Sequence, residues 1–197
     1  IRYLCGSTSV GKKISSYEKS LSSKKLPTIS KFNKKYLKDV DVIFTALPNG
    51  GAQQISNNLL KHNTLIDLSA DFRLKKSSEY LKWYKQKHKS LKNIKNSIYA
   101  LPEISGKKVK DFNIIGCPGC YPTSILLPLI PLIKKKLINI NNLTIDAKSG
   151  YSGAGKNLEK KFLHKNLYFS TYAYNTKNHR HIIEVEQEFK KHTKQNI

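Results

Sequence analysis

Apolar residues in this chain fall in short runs between long polar stretches, and the spacing within each run predicts an element. Asp41–Leu47 (DVIFTAL) is almost continuously apolar, the pattern of a parallel strand covered on both faces. It ends in Pro48-Asn49-Gly50-Gly51, a turn sequence, after which Ala52–His62 carries helical spacing through Ile55, Leu59 and Leu60. Thr64–Leu68 (TLIDL) is the next strand. Strand, helix and strand joined by short turns predict a βαβ unit with a right-handed crossover. Ser69–Arg73 (SADFR) then leaves the second strand at its carboxyl end, where open α/β sheets hold ligands.

Beyond this unit, Ser77–His88 is predicted helical with Tyr80, Leu81 and Tyr84 on one side. Tyr99–Glu103 is predicted extended, and Phe112–Ile115 returns to the sheet. Asn113–Pro131 (NIIGCPGCYPTSILLPLIP) reads as a strand, a tight Pro-Gly turn, and a helix beginning at Cys120 and running to about Lys136. Pro128 should kink that helix. The pattern changes near Cys117–Cys120, which predicts a domain boundary there. Leu143–Lys148 is predicted as a strand, Ser149–Lys156 as a glycine-rich loop, and a helical segment follows to about Leu163. Thr171–Tyr174 and Asn178–Ile182 are predicted extended. Ile183–His192 is a predicted helix, with acidic residues first and basic residues last to complement its dipole. At the other end, Ile1–Cys5 reads as the tail of a strand before a small-residue loop, Gly6–Gly11, and Lys12–Lys38 as short surface strands.

Charge changes the picture little. The 197 residues carry a formal net charge of +23, but the lysines are spread along the whole length. A nucleic-acid binder would gather its basic residues into a patch with arginine forks, so the expected surface is solvated and the expected partner is not nucleic acid. Three cysteines, an odd number, do not suggest a secreted disulfide framework. The most apolar run, Ile125–Ile133, is far shorter than the ~20 residues of a membrane span, and no signal peptide is visible. A cytoplasmic protein without membrane contact is expected. The chain begins with Ile1 and contains no methionine, so its natural start is expected to be missing.

The candidate chemistry centres on Cys120. Pro122 suits the first turn of a helix, and a thiol at a helix start faces unpaired N–H groups and the positive end of the dipole, which favour the nucleophilic thiolate. The alternative, a buried structural cysteine, fits the Pro-Gly turn less well. Cys117 and Cys120 also have C-x-x-C spacing, but no second cysteine pair completes a zinc site, so no metal is expected and Cys117 is read as incidental. Gly150–Asn157 nearly fits a P-loop, with Asn157 in place of the hydroxyl that would hold Mg²⁺. A phosphate cradle is consistent with those glycines and Lys156, and a P-loop nucleotide hydrolase is the rival class. His179 and His181, two apart, would share one face of an extended segment, and a histidine is the usual proton partner of a nucleophilic thiol.

Taken together, the motifs resemble the N-acetyl-γ-glutamyl-phosphate reductase family, NADP-dependent enzymes of arginine biosynthesis related to aspartate-semialdehyde dehydrogenase. The resemblance rests on Asp67–Leu74 (DLSADFRL), Tyr99–Glu103 (YALPE), Pro118–Thr123 (PGCYPT), Ser149–Lys156 (SGYSGAGK) and His179–Glu184, in the family's order. It implies an α/β chain: a partial Rossmann-like parallel-sheet domain over residues 1–119, then the first part of an α+β catalytic and dimerisation domain over 120–197. It implies that Cys120 attacks an acyl phosphate to form a thioester, with His181 or His179 as acid and base, His181 being preferred. It implies NADP contacts from Ser7, Thr8 and Ser9, from Pro48, Asn49 and Gly50, and from Ser69 and Pro122. Ser152, Gly153 and Gly155 complete that set. Substrate contacts are implied for Arg73, Glu103, Ser149, Lys156, Arg180 and Glu184, and a homo-oligomer for the full-length protein. An aminoadipyl-phosphate reductase of lysine biosynthesis shares these motifs. The chain departs from the family at four points: no glycine-rich dinucleotide loop precedes Ile1, serines stand at 7 and 9 where relatives carry arginine, Lys156 replaces arginine, and Pro128 is unusual. The chain is therefore expected to be an internal fragment, inactive as an isolated polypeptide.

Overall fold

Four short parallel strands form one sheet, and their register aligns its carboxyl edge in a single row. A computed structural model describes residues 1–154 and 170–193. The strands are β1 (Val42–Thr45), β2 (Thr64–Asp67), β3 (Ser97–Tyr99) and β4 (Ile114–Gly116), in the order β1-β2-β4-β3. Thr45 pairs with Asp67, Asp67 with Gly116, and Gly116 with Tyr99, so the last residues of all four strands stand side by side. Whatever follows each strand emerges at that edge. The parallel βαβ pairing of β1 with β2 agrees with the apolar pattern.

Helix α1 (Gly51–Ser56) joins β1 to β2 and buries Ala52 and Ile55 against Leu65, Phe72 and Ile114. Its start is capped from a distance. Gly50, at φ +94°, offers no side chain, and the Asp71 carboxylate accepts the N–H groups of Gly50 (2.8 Å), Ala52 (3.0 Å) and Gln53 (3.2 Å) instead. The helix stops at Ser56, short of the expected His62. The Asn58 side chain donates to Gln54 O at 2.7 Å, and Asn63 closes the turn by accepting Leu60 N–H at 2.8 Å and donating to Leu37 O at 2.9 Å.

Five further helices follow: α2 (Ser77–Tyr84), α3 (Leu91–Lys95), α4 (Pro102–Ser105), α5 (Cys120–Lys134) and α6 (Ile182–Lys190). Helix α2 ends before His88, at Lys85 with φ +55°, and of its expected apolar face Tyr80 is buried while Leu81 is exposed. The extended stretch expected from Tyr99 to Glu103 reaches only Leu101, still extended at φ −103° and ψ 117°, because Pro102 opens α4 in the position where its missing N–H costs nothing. Helix α3 carries only two apolar residues, exposed Leu91 and buried Ile94, and periodicity did not reveal it.

The cysteine helix α5 packs Leu126, Ile130 and Ile133 against Val185 and Phe189 of α6 and against Tyr99 and Leu101. Leu126 and Ile130 are almost completely buried, each worth about 1.5–3 kcal/mol of apolar transfer. The helix continues through Pro128 and Pro131 as one element. Both prolines lie on its exposed side with Ser124, where water can satisfy the carbonyls that lose their partners.

Three expected strands are absent. Ile1–Cys5 contributes only an isolated bridge from Cys5 to Ser30. Residues 12–38 form 3-10 turns at Ile14–Ser16, Lys19–Leu21 and from Lys34 onward. Leu143–Lys148 carries no regular structure and is largely exposed. A strand exists only through its neighbour, and among the described residues the bridge between Cys5 and Ser30 is the only strand-like pairing these segments make. Nor is β1 covered on both faces: Val42 is 49% and Phe44 67% exposed, since helix α1 covers only the side bearing Ile43. Among the described residues no helix is long and apolar enough to cross a membrane.

Candidate active site

The sheet delivers its carboxyl edge to the start of α5. Gly116, the last residue of β4, passes under the SADFR segment so closely that an added Cβ would lie 2.4 Å from Phe72 O. The next residue is held at both backbone ends: Cys117 N–H donates to Asp67 O at 2.8 Å, and Cys117 O accepts Arg73 Nε–H at 2.8 Å. Residues 117–119 then run without a turn or bend, and Gly119 is extended at φ −67° and ψ 168°. The tight Pro-Gly turn expected from sequence is not formed. Both thiols are free, and burial together with the nearby Asp67 pushes the Cys117 thiol up, away from thiolate.

Cys120 is the first residue of α5 and is exposed. Thr123 closes the first turn, both its N–H (3.0 Å) and its hydroxyl (2.9 Å) donating to Gly119 O. Pro122 is buried in that turn. The ring of His181 rests on Gly119: a Cβ built there would lie 2.4 Å from His181 Nε2. Only glycine fits at this position. The chain thus brings a histidine from residue 181 against the residue that precedes the candidate nucleophile.

His179 and His181 do not lie on an extended segment. They form a turn leading into α6, with His181 as its N-cap, and still bring their rings to 4.8 Å. His181 N–H donates to His179 Nδ1 at 3.2 Å, which assigns the hydrogen of a neutral His179 to Nε2. Tyr121 and Tyr174 complete a ring cluster, Tyr121 at 5.4 Å and Tyr174 at 5.5 Å from His179. Burial, followed by the positive neighbours His179, Arg73 and Arg180, holds His181 down to about 4. It is therefore neutral at pH 7 and able to accept a proton. Its Nδ1 is buried and has no partner among the described residues. Tyr174 is pushed up to about 12 by burial, by its hydrogen bond with Tyr121, and by the charges of Tyr121 and Cys120. Its hydroxyl stays protonated beside the thiol.

Behind Gly119 is a buried polar group. Glu184 is completely buried and accepts Arg73 Nη1 at 3.1 Å, the Gly119 N–H at 3.0 Å and the Tyr99 hydroxyl at 3.0 Å. Burial raises its pKa while Arg73, Gly119 and Tyr99 pull it back, and burial prevails. Arg73 also donates through Nη2 to Leu68 O at 3.0 Å. Arg73 and Glu184, expected as substrate ligands, thus lie in the wall of the site with their hydrogen-bonding groups turned on each other and on the backbone. Tyr84 lies near both and is pushed up to about 12, chiefly by burial. Arg73 lies close enough to its hydroxyl to pull the pKa back, although among the described residues no partner meets that hydroxyl with full hydrogen-bond geometry.

The remaining predicted residues are spread more widely. Pro48, Asn49 and Gly50 follow β1 at the carboxyl edge, Pro48 and Asn49 exposed and Gly50 tied to Asp71. The Ser69 hydroxyl donates to Asp67 Oδ1 at 2.6 Å. Ser7, Thr8 and Ser9 lie in a turn outside the four-stranded sheet, where Ser9 accepts the Tyr17 hydroxyl at 3.0 Å. Arg180 and Glu103 are exposed, Glu103 in the first turn of α4. Ser149 precedes a 3-10 turn, Tyr151–Ala154, that contains Ser152 and Gly153. Gly155 and Lys156 lie outside the described residues, as does the helix expected to about Leu163. A recess of about 390 Å³ lined by Thr64, Lys107 and Phe112 sits at the amino end of β2, opposite the edge that carries Cys120. Sequence reasoning missed Tyr99, Tyr121 and Tyr174 as neighbours of the site. Tyr121 lies inside the PGCYPT motif and Tyr174 just upstream of the histidines, but only tertiary structure shows that they meet.

Comparison with known proteins agrees with this arrangement. Residues 1–112 match the semialdehyde dehydrogenase NAD-binding domain, and residues 120–197 the semialdehyde dehydrogenase dimerisation domain. An N-acetyl-gamma-glutamyl-phosphate reductase of Ehrlichia canis (strain Jake) is 41% identical over 189 residues, covering 95% of this chain and 54% of the relative. One of Clostridium novyi (strain NT) is 44% identical over 162 residues, covering 82% and 47%. A probable chloroplastic N-acetyl-gamma-glutamyl-phosphate reductase of Oryza sativa subsp. japonica is 37% identical over 187 residues, covering 95% and 45%. The chain spans about half the length of the curated relatives it matches. With a parallel sheet, a cysteine opening the helix at its carboxyl edge, a histidine packed beside it, and both domain signatures in order, the chain belongs to the semialdehyde dehydrogenase family.

Proposed function

We propose that this chain carries the cysteine centre of an NADPH-dependent N-acetyl-γ-glutamyl-phosphate reductase, which forms N-acetylglutamate 5-semialdehyde and phosphate. The observation that carries the reading is the packing of a neutral His181 on Gly119, beside an exposed Cys120 at a helix start. Cys120 sulfur attacks the γ-acyl carbon as its proton passes to His181, the carbon–oxygen bond to phosphate breaks, and a thioester remains. The unpaired N–H groups of the first turn of α5 are the donors available to the carbonyl oxygen as charge develops on it. His181, once protonated, can return its proton to that oxygen when the acyl group is reduced.

The residues present fit the nicotinamide end of the cofactor. The loop Pro48–Gly50, Ser69 and Pro122 all follow elements that end or begin at the carboxyl edge of the sheet, where open α/β sheets hold ligands. When bound, the cofactor supplies hydride. The preference for NADP rests on the resemblance, since Ser7–Ser9 offer hydroxyls and no guanidinium. Glycines and hydroxyls over Ser149–Gly153 suit the phosphate of the substrate, and exposed Arg180 suits a carboxylate. The two family matches support reading residues 1–119 and 120–197 as two parts, and the second supports a homo-oligomer. A cytoplasmic location follows from the same reading. Given NADP⁺ and inorganic phosphate, a full-length version is expected to oxidise N-acetylglutamate semialdehyde, and Cys120→Ser to lose about three orders of magnitude or more. A Cys120→Ser variant that kept most of the activity would refute the mechanism.

A further inference from the structure

The Glu184 carboxylate stands behind Cys120, and its two oxygens have different tasks. Oε1 takes Arg73 Nη1 at 3.1 Å and lies 3.9 Å from His181 Nε2, too far for a hydrogen bond. Oε2 takes the Gly119 N–H at 3.0 Å and the Tyr99 hydroxyl at 3.0 Å. One rigid group therefore grips the backbone one residue before the proposed nucleophile while flanking its proposed proton partner. The Gly119 N–H belongs to a helix start and has no intrahelical acceptor. A carboxylate gives it a stronger bond than a neutral oxygen would. Tyr99 is 3% exposed and ends β3, in the same row as Gly116, so the sheet itself sets where the hydroxyl, and through it Oε2, must lie.

We propose that Tyr99 and Glu184 are positioning residues: through the Gly119 amide they hold Cys120 in place against His181, and neither touches substrate. This rests on Cys120 being the nucleophile, but it can be tested without turnover. Tyr99→Phe deletes one hydroxyl at constant shape. Glu184→Asp keeps the charge that Arg73 needs but is one methylene too short to reach Gly119. In both variants, hydrogen–deuterium exchange over residues 117–121 is expected to accelerate while exchange in β1 and β2 stays unchanged. Alkylation of Cys120 by iodoacetamide, measured against exposed Cys5 in the same molecule, is expected to slow about fivefold at pH 7, the factor carried by one hydrogen bond. The pH profile of that ratio should move with it. A merely structural role would lower the thermal midpoint and leave the ratio and its profile where they were, and that result would overturn the proposal. Should Glu184→Asp not fold, Tyr99→Phe decides alone. If the ratio responds as expected but a full-length version reduces no acyl phosphate, the positioning role stands and the functional reading fails.

Discussion

At the scale of single residues, the site depends on two that could easily have been given other roles. Arg73 looks like an anion receptor, yet it is buried and spends its donors on Glu184, Cys117 O and Leu68 O. Replacing it by leucine would strand a fully buried carboxylate, at a cost of about 3–5 kcal/mol. Urea denaturation should show that loss, whereas breaking the exposed Lys76–Glu79 pair should cost under about 1 kcal/mol. His181 gives a pH signature of fixed sign. It titrates near 6.5 when free and at about 4 in the fold, so between those values the unfolded chain binds a proton that the native chain does not. Stability should therefore fall as the pH drops from about 6.5 towards 4, with a contribution from this residue of about 3 kcal/mol. The raised carboxyls Glu184 and Asp67 act with the opposite sign above their ordinary values, so a variant isolates the histidine best. His181→Gln should lose less stability than wild type between pH 7 and pH 4.5 in matched urea titrations, and equal losses would contradict the assignment. The sequence placed Cys120 at a helix start because that pattern is local. It could not show what Glu184 does, since the partners Gly119 and Arg73 lie 65 and 111 residues away.

At the scale of elements, what could be read from the sequence was whatever carried its own stabilisation. Strands β1, β2 and β4 appeared as apolar runs, and α5 and α6 as amphipathic stretches with sensible ends. Leu143–Lys148 has a strand's composition but, among the described residues, no neighbour to pair with, so composition misled. The start of α1 is the reverse case. Its cap is not local but comes from Asp71, across the turn from β2, where the carboxylate also accepts Gln53 Nε2 at 2.9 Å and the Tyr80 hydroxyl at 2.7 Å. The SADFR motif thus does structural work: it fixes the Pro48–Gly50 loop that the proposed cofactor would meet. Asp71→Ala should cost about 2 kcal/mol or more by leaving buried donors unpaired. Hydrogen exchange should speed up first in α1, and a variant with normal protection there would refute the capping role.

At the scale of the whole molecule, the charge of +23 is spread over the surface, and the chemistry is confined to one edge of one sheet. The parallel register aligns four strand ends, and the chain leaves two of them to build the wall around Cys120: Arg73 after β2 and Cys117–Gly119 after β4. Helix α6 closes the arrangement by bringing His181 and Glu184 from the far end of the sequence. The parallel sheet was legible because its strands are apolar. The convergence of Tyr99, Gly119, His181 and Glu184 was not, because it exists only once β3, α5 and α6 have packed. The central claim, an acyl group carried on Cys120, has a direct test that needs no cofactor. The protein would be mixed with N-acetyl-γ-glutamyl phosphate, quenched in acid and mapped by mass spectrometry. The account predicts an N-acetylglutamyl adduct on the peptide containing Cys120, removable by hydroxylamine and absent in Cys120→Ser. An unmodified Cys120, or an adduct that persists in Cys120→Ser, would contradict it.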